Sequence, residues 1–261
     1  MTYIPGYIKL YENGELHKRR DLLYEKLNSC DLCPKKCKVN RHESIGVCRV
    51  GDRIKISEFV LYKGEEPLQN EKKVQNIDLV TATPYLPFIF DALILSVEKG
   101  LEIPLVWNTS SYESVETLKL LDGVVDIYLA DIRYTTEYAA RRYSKTPDYW
   151  DFAKEAVKEM YNQTKGQYIF ENDIMKKGLI IRVLVLPNNI DEAKDTLKFI
   201  AKLDKNILVS LMDQYVPVYM TKEYPEINRL LKKSEYDKVV DTMLELGLDG
   251  WIQEHKLLEG D

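Results

Sequence analysis

The sequence predicts an α/β fold: an open or partial (β/α) barrel carrying a small N-terminal four-cysteine metal module. Two observations carry this. Short apolar runs alternate with helical segments from residue 76 to residue 252, which implies parallel βα units joined by right-handed crossovers. Five or six such units are fewer than a closed eightfold barrel needs. All four cysteines, Cys30, Cys33, Cys37 and Cys48, fall in one short segment. The predicted division is 1–63 for the N-terminal helix and metal module, and 64–261 for the partial barrel.

Taken in order, residues 15–28 read as a helix with Leu16, Leu23 and Leu27 on one face. The cysteine segment follows, and Ile54–Tyr62 alternates loosely as a strand ending at Gly64. Asn76–Thr81 is a short apolar strand, 85–99 a helix and Ile103–Trp107 the next strand. A Ser110…Glu113 capping box opens a helix that closes at Gly123. Val125–Leu129 reads as a strand, 135–165 as helical and Leu179–Leu186 as the strongest strand. A helix starts at Asn189, with Glu192 three residues on to complete a cap. Ile207–Met212 is another strand, Ser234 caps the last helix to Gly247, and Leu248–Ile252 is a short final strand.

The cysteine spacing is C-x2-C-x3-C, with Cys48 ten residues further on. Buried thiols would be scattered, and disulfides would suit a small secreted domain. The N-terminus lacks the basic end and apolar core of an export signal, so the reading is a metal centre in a cytoplasmic protein. Three ligands from one tight turn and one distant ligand favour a 4Fe–4S cluster over zinc, which usually takes two C-x2-C knuckles.

The chain is 45% hydrophobic and 30% charged, with a net charge of −5, so nucleic acid is not an expected partner. No apolar run approaches the roughly 20 residues of a membrane span, so no membrane partner is expected. Residues 1–53 hold eleven Lys/Arg against seven Asp/Glu. Lys35, Lys36, Lys38 and Arg41 crowd the cysteines, where cations offset thiolate charge; an acidic docking partner is the weaker reading.

Ligands of open α/β sheets bind beyond the C-terminal strand ends. Polar residues stand there: Thr81, Thr83, Asn108, Thr109, Asp131, Arg133, Asn188, Asn189, Asp213 and Gln214. Arg182 lies inside an apolar strand, where an unpaired charge is costly. It either pairs with Asp131 or binds an anion in the cavity.

The runs at 79–85 (LVTATPY), 106–112 (VWNTSSY), 120–128 (LLDGVVDIY), 181–188 (IRVLVLPN) and 211–215 (LMDQY) resemble the uncharacterised radical S-adenosylmethionine proteins related to pyruvate formate-lyase activating enzyme. So do Cys30–Cys37, Gly46-Val47-Cys48 and Gly64–Pro67. The resemblance implies S-adenosylmethionine as cofactor, with Thr83, Asn108, Asp131, Arg133, Arg182 and Gln214 as candidate cofactor-binding residues.

That family carries C-x3-C-x2-C after its first barrel strand, where three thiolates hold a cluster with one open iron. This chain has no such motif between Pro67 and Asn76. On the order of 50 residues, about one βα unit, are absent, so the partial barrel lacks its first βα unit. Asn76–Thr81 becomes an edge strand, with 54–62 as its expected cover. Family-typical residues are also replaced at Pro84, Val183, Asp213 and Ala130–Arg133.

Three functions remain open. One is a degenerate radical-family protein that binds metal and a small anionic or nucleoside-like ligand without reductive cleavage of S-adenosylmethionine. Another is an active glycyl-radical activating enzyme-like protein whose cluster segment is missing from this sequence. The third is a non-catalytic protein partner of an intact paralogue.

Overall fold

The computed structural model describes residues 3–58, 60, 68 and 74–254. The fold is mixed α/β. Seven strands join in the order β1-β2-β3-β5-β6-β7, with β4 paired to β5. They are β1 (Ile77–Val80), β2 (Leu105–Thr109), β3 (Ile127–Ile132), β4 (Ile169–Glu171), β5 (Ile174–Leu184), β6 (Leu208–Met212) and β7 (Gly250–Ile252). The chain divides into two compact units, Met1–Tyr128 with Glu155–Gly178, and Leu129–Lys154 with Leu179–Asp261. Residues 1–63 therefore fall inside the first unit.

In the first unit, α1 (Gly6–Glu12) and α2 (Glu15–Glu25) precede the cysteine segment. α1 is absent from the sequence expectation because it carries no helical stripe; its single buried residue is Tyr7. The Tyr7 hydroxyl donates to the Ile103 carbonyl at 2.8 Å. Gly6 is required by close approach: a Cβ there would stand 2.5 Å from the Gly123 carbonyl oxygen. α2 buries Leu16 and Leu23, with Leu27 just beyond it, as expected, and ends at Glu25 rather than 28. Each such leucine contributes roughly 1.5–3 kcal/mol through burial. α2 packs on α3 (Leu86–Val97), where Tyr24 meets Phe88 edge-on at 5.8 Å.

β1 and β2 are parallel, with Leu79 opposite Trp107 and Val80 opposite Asn108. β1 stands at the end of the strand order, as expected of an edge strand. The expected strand at 54–62 is corrected: residues 54–58 and 60 belong to no strand, and 59, 61 and 62 lie outside the described residues. α4 (Val115–Lys119) begins later than expected because Ser114, not Ser110, is its cap. The hairpin of β4 and β5 was also unexpected; it turns through Asn172 and Asp173, both at positive φ. α6 (Tyr149–Thr164) spans both units, with its C-terminal part in the first.

In the second unit, β5, β6 and β7 are parallel, with Arg182 opposite Ser210 and Ser210 opposite Trp251. α5 (Glu137–Ser144) follows β3, and α7 (Ile190–Leu203) buries Ala193, Leu197 and Ile200 of the face its periodicity predicts, while Ala201 of that expected face is only half-buried. α8 (Lys233–Glu245) buries Tyr236, Val239 and Met243. It starts at Lys233, and Glu235 accepts the Lys232 backbone N–H at 3.1 Å. The Asn189…Glu192 cap does not form, because Glu192 accepts instead from the backbone and hydroxyls of Thr135 and Thr136. β3 continues to Ile132, so Asp131 sits within the strand rather than after it.

Candidate functional site

The cysteines lie on two backbone turns of the first unit. Cys30 N–H donates to the Val39 carbonyl and Lys38 N–H to the Cys30 carbonyl, both at 2.9 Å. This short pairing closes a loop around Cys33 and Cys37. Within it Lys36 N–H donates to the Cys33 carbonyl, and Lys36 and Lys38 take positive φ. Asp31 accepts from Lys26 at 2.7 Å and from Lys38 at 2.6 Å. Burial opposes ionisation of Asp31, and the two lysines outweigh it, holding the carboxyl below its ordinary range. The second turn has Gly46 N–H on the Val50 carbonyl and Arg49 N–H on the Gly46 carbonyl.

Gly46 joins the two turns. A Cβ at this position would stand 3.3 Å from Cys48 Sγ and 3.5 Å from Cys37 Sγ. Cys37 is hydrogen-bonded by the backbone of Val39 and Val47 and by Cys30; burial raises its pKa, and these bonds reverse the shift to a net lowering. Burial pushes the Cys33 thiol up, the Lys35 backbone opposes it, and the charges of Cys30, Cys48 and Glu113 add to the rise. All four cysteines are free thiols.

As the side chains are placed, no group of three or more His, Cys, Asp or Glu among the described residues could hold a metal ion. What the segment does present is a donor set: four thiols on two turns, backbone N–H donors to Cys37 and Cys33, and a glycine close to the sulfurs of Cys37 and Cys48.

Arg41, expected to offset thiolate charge, does something else. It is buried, with Nη1 donating to the Pro84 carbonyl at 2.7 Å and Nε to the Gly51 carbonyl at 3.1 Å. It thus ties the cysteine segment to the turn after β1. Nearby, Lys35 Nζ stands 5.1 Å over the Tyr112 ring.

Beside this turn lies a residue whose role the sequence misassigned. Glu113 is buried, and its Oε1 accepts from Thr83 at 2.6 Å, Thr109 at 2.8 Å and Trp107 at 3.3 Å. Burial raises its pKa, and the three hydrogen bonds offset part of the rise. Two threonines and a tryptophan at adjacent strand ends were the available signal. Thr83 therefore serves this carboxyl, and Asn108 donates to Asp78 at 3.2 Å.

In the second unit, Asp131 is buried and accepts from Arg182 Nε on one oxygen and Arg133 Nη2 on the other, each at 2.5 Å. The Tyr149 hydroxyl accepts from Arg133 N–H at 2.9 Å and donates to the Asp131 carbonyl at 3.2 Å. Burial raises the Tyr149 pKa, so it stays a neutral donor. Of the two roles expected for Arg182, the pairing with Asp131 is present. Tyr149 was not anticipated, because a helix-start tyrosine carries no motif. Gln214 is exposed on the segment after β6.

No family model matches the chain. It is 31% identical over 273 residues to the uncharacterized protein MJ0674 of Methanocaldococcus jannaschii, covering 85% of this chain and 76% of that protein. The chain belongs to the same family as that protein. Eighty-five per cent of 261 residues is about 222, so about 50 of the 273 aligned positions carry no residue of this chain.

Proposed function

We propose that this member of the family is a degenerate radical S-adenosylmethionine-type protein, a partial (β/α) barrel that binds one metal centre through Cys30, Cys33, Cys37 and Cys48. The observation that carries the reading is the cysteine count. All four cysteines lie between residues 30 and 48, and none remains for a three-thiolate cluster with an open iron. The alignment with the relative runs over more positions than this chain supplies, which suits a chain lacking a segment. Either metal form would supply a folded, thiolate-bound centre coupled to the stability of its turns. In the second unit, Asp131, Arg133, Arg182 and Gln214 are the candidate contacts for a small anionic or nucleoside-like ligand; Thr83 and Asn108 of the first unit hydrogen-bond Glu113 and Asp78.

Free thiols suit a reducing compartment, and we place the protein in the cytoplasm. No helix among the described residues is long and apolar enough to cross a membrane. The unmatched alignment positions equally suit an active enzyme whose cluster segment is missing from this sequence, which the genomic DNA around codons 67–76 distinguishes. An interaction partner of an intact paralogue would bind no small molecule.

The experiment is the metal and sulfide content of anaerobically purified protein. Iron with acid-labile sulfide supports the cluster; one equivalent of zinc overturns the preference for iron. Metal-free protein with unchanged thermal unfolding would show that the site is not structural.

A further inference from the structure

Arg41 is a buried cation held by carbonyls alone: it is 1% exposed, and no carboxylate of the described residues pairs with it. Its Nε and Nη2 both donate to the Gly51 carbonyl, at 3.1 and 2.5 Å, and Nη1 donates to the Pro84 carbonyl at 2.7 Å. Arg41 stands four residues after Cys37, and Gly51 three residues after Cys48. The Nε–Nη2 fork therefore spans the same two turns that a metal shared by Cys37 and Cys48 would join. On its other side the guanidinium reaches a strained turn. Thr81, a β-branched residue, takes a φ of 53° at the end of β1. Its N–H donates to the Asn108 carbonyl at 3.0 Å, and Tyr85 N–H closes the turn on the Ala82 carbonyl at 2.8 Å. Thr83, beside Pro84, donates to Glu113 at 2.6 Å. Such a backbone conformation costs about 1–3 kcal/mol and persists only where its surroundings over-determine it. Arg41 and Glu113 hold this turn from two separate segments.

We propose that occupancy of the cysteine centre switches the turn after β1, residues 81–85, with Arg41 as the positioning residue between them; this rests on the metal-binding reading above. With the centre filled, Cys37 and Cys48 hold their two turns together. Gly51 then stays on the fork, and the guanidinium plane is fixed with Nη1 on Pro84. With the centre empty, the Cys48 turn is free to part from the Cys37 turn. A buried guanidinium would then lose two of its three bonds, which is costly unless the side chain leaves its site. Its departure removes the Pro84 anchor, and the strain at Thr81 favours the open turn. The turn is thus a two-state element biased from the cysteine side. An apolar side chain at 41 would fill the same space without the desolvation cost, but only the guanidinium joins Gly51 to Pro84. Residues 81–85 follow the C-terminal end of β1, the end at which open α/β sheets bind ligands, so filling the centre orders that edge of the first unit.

The test is hydrogen exchange read by mass spectrometry on the full chain, stripped anaerobically with a chelator and then reloaded with zinc, or with iron and sulfide. Metal content is measured in each sample. In the wild type, stripping is expected to speed exchange in peptides covering 81–85 at least roughly tenfold, while peptides of β6 in the second unit keep their rates. Arg41→Lys keeps the charge and loses the fork. It is expected to take up metal, with its turn exchanging at the stripped rate whether the centre is filled or empty. A part played only in folding would speed exchange in both states and leave the metal dependence intact. Coupling is reciprocal, so Thr83→Val, which loosens the turn without touching a cysteine, is expected to bind zinc at least roughly fivefold more weakly. That variant decides the matter if Arg41→Lys does not fold. A wild type that takes up no metal overturns the centre and the coupling together. Metal uptake with unchanged exchange at 81–85, an Arg41→Lys turn that still responds to metal, or an unaltered zinc affinity of Thr83→Val leaves the centre standing and overturns the coupling alone.

Discussion

Arg182 Nε donates to Asp131 Oδ1 at 2.5 Å, joining the one charged residue in the C-terminal half of β5 to a buried carboxylate of β3. Breaking a buried pair by removing one partner costs about 3–5 kcal/mol. The Arg182 side chain is 20% exposed, and Arg133 still holds the other oxygen of Asp131. Arg182→Ala is therefore expected to cost about 2 kcal/mol, and Asp131→Ala, which strands two guanidiniums, about 3 kcal/mol or more. Urea unfolding measures both. Equal and negligible losses would contradict a structural ion pair here.

The βα alternation and the Arg182–Asp131 pair were legible because an apolar run containing one arginine leaves few ways to place that charge. The β4–β5 hairpin was hidden by Lys176-Lys177-Gly178, which break the apolar pattern at the start of β5. Asn172-Asp173, both at positive φ, is the turn signal that marks the hairpin. The cysteine spacing was visible, but the sulfur-to-glycine contact at Gly46 depends on tertiary turns and has no sequence signature. The spacing of Glu113 and Glu192 predicts local caps. Their actual donors come from Thr83, Trp107 and Thr109, and from Thr135 and Thr136, and these tertiary partners replace the capping bonds.

Asp126 gives a pH signature. It is buried and accepts from the Tyr3 hydroxyl at 2.7 Å, Gly6 N–H at 3.2 Å and Leu105 N–H at 2.9 Å. Burial raises its pKa to about 6, against these three bonds and the charge of Lys177. The folded state thus binds the proton more tightly than the unfolded chain. The stabilisation is complete below the ordinary carboxylate range, near 4, and is lost as pH rises through about 6. Wild type should gain roughly 2–3 kcal/mol relative to Asp126→Asn between pH 7 and pH 4. Parallel stability curves for the two proteins would contradict this.

Glu113 is predicted to tolerate only an isosteric change. Glu113→Gln keeps an oxygen for the donors of Thr83, Thr109 and Trp107 and should cost about 1 kcal/mol or less. Glu113→Ala leaves three buried donors unpaired and should cost about 3 kcal/mol or more. Chemical denaturation at neutral pH distinguishes the two, and similar costs would show that these hydrogen bonds are not what holds the carboxyl in place.

Gly46 tests the metal centre without removing a ligand. The Cβ of Gly46→Ala would press on Cys48 Sγ at 3.3 Å, and Gly46→Val would crowd both sulfurs. Metal content is expected to fall in the order glycine, alanine, valine. Full loading of the valine variant would separate Cys37 and Cys48 from a shared centre.

The central claim is that the four cysteines form one closed centre and that this chain does not cleave S-adenosylmethionine reductively. It is tested most directly by reconstituting the protein anaerobically with iron and sulfide, adding a strong reductant and S-adenosylmethionine, and assaying 5′-deoxyadenosine. The account predicts none above a Cys30→Ala/Cys33→Ala control; production above that control would make the cysteine centre catalytic and contradict it.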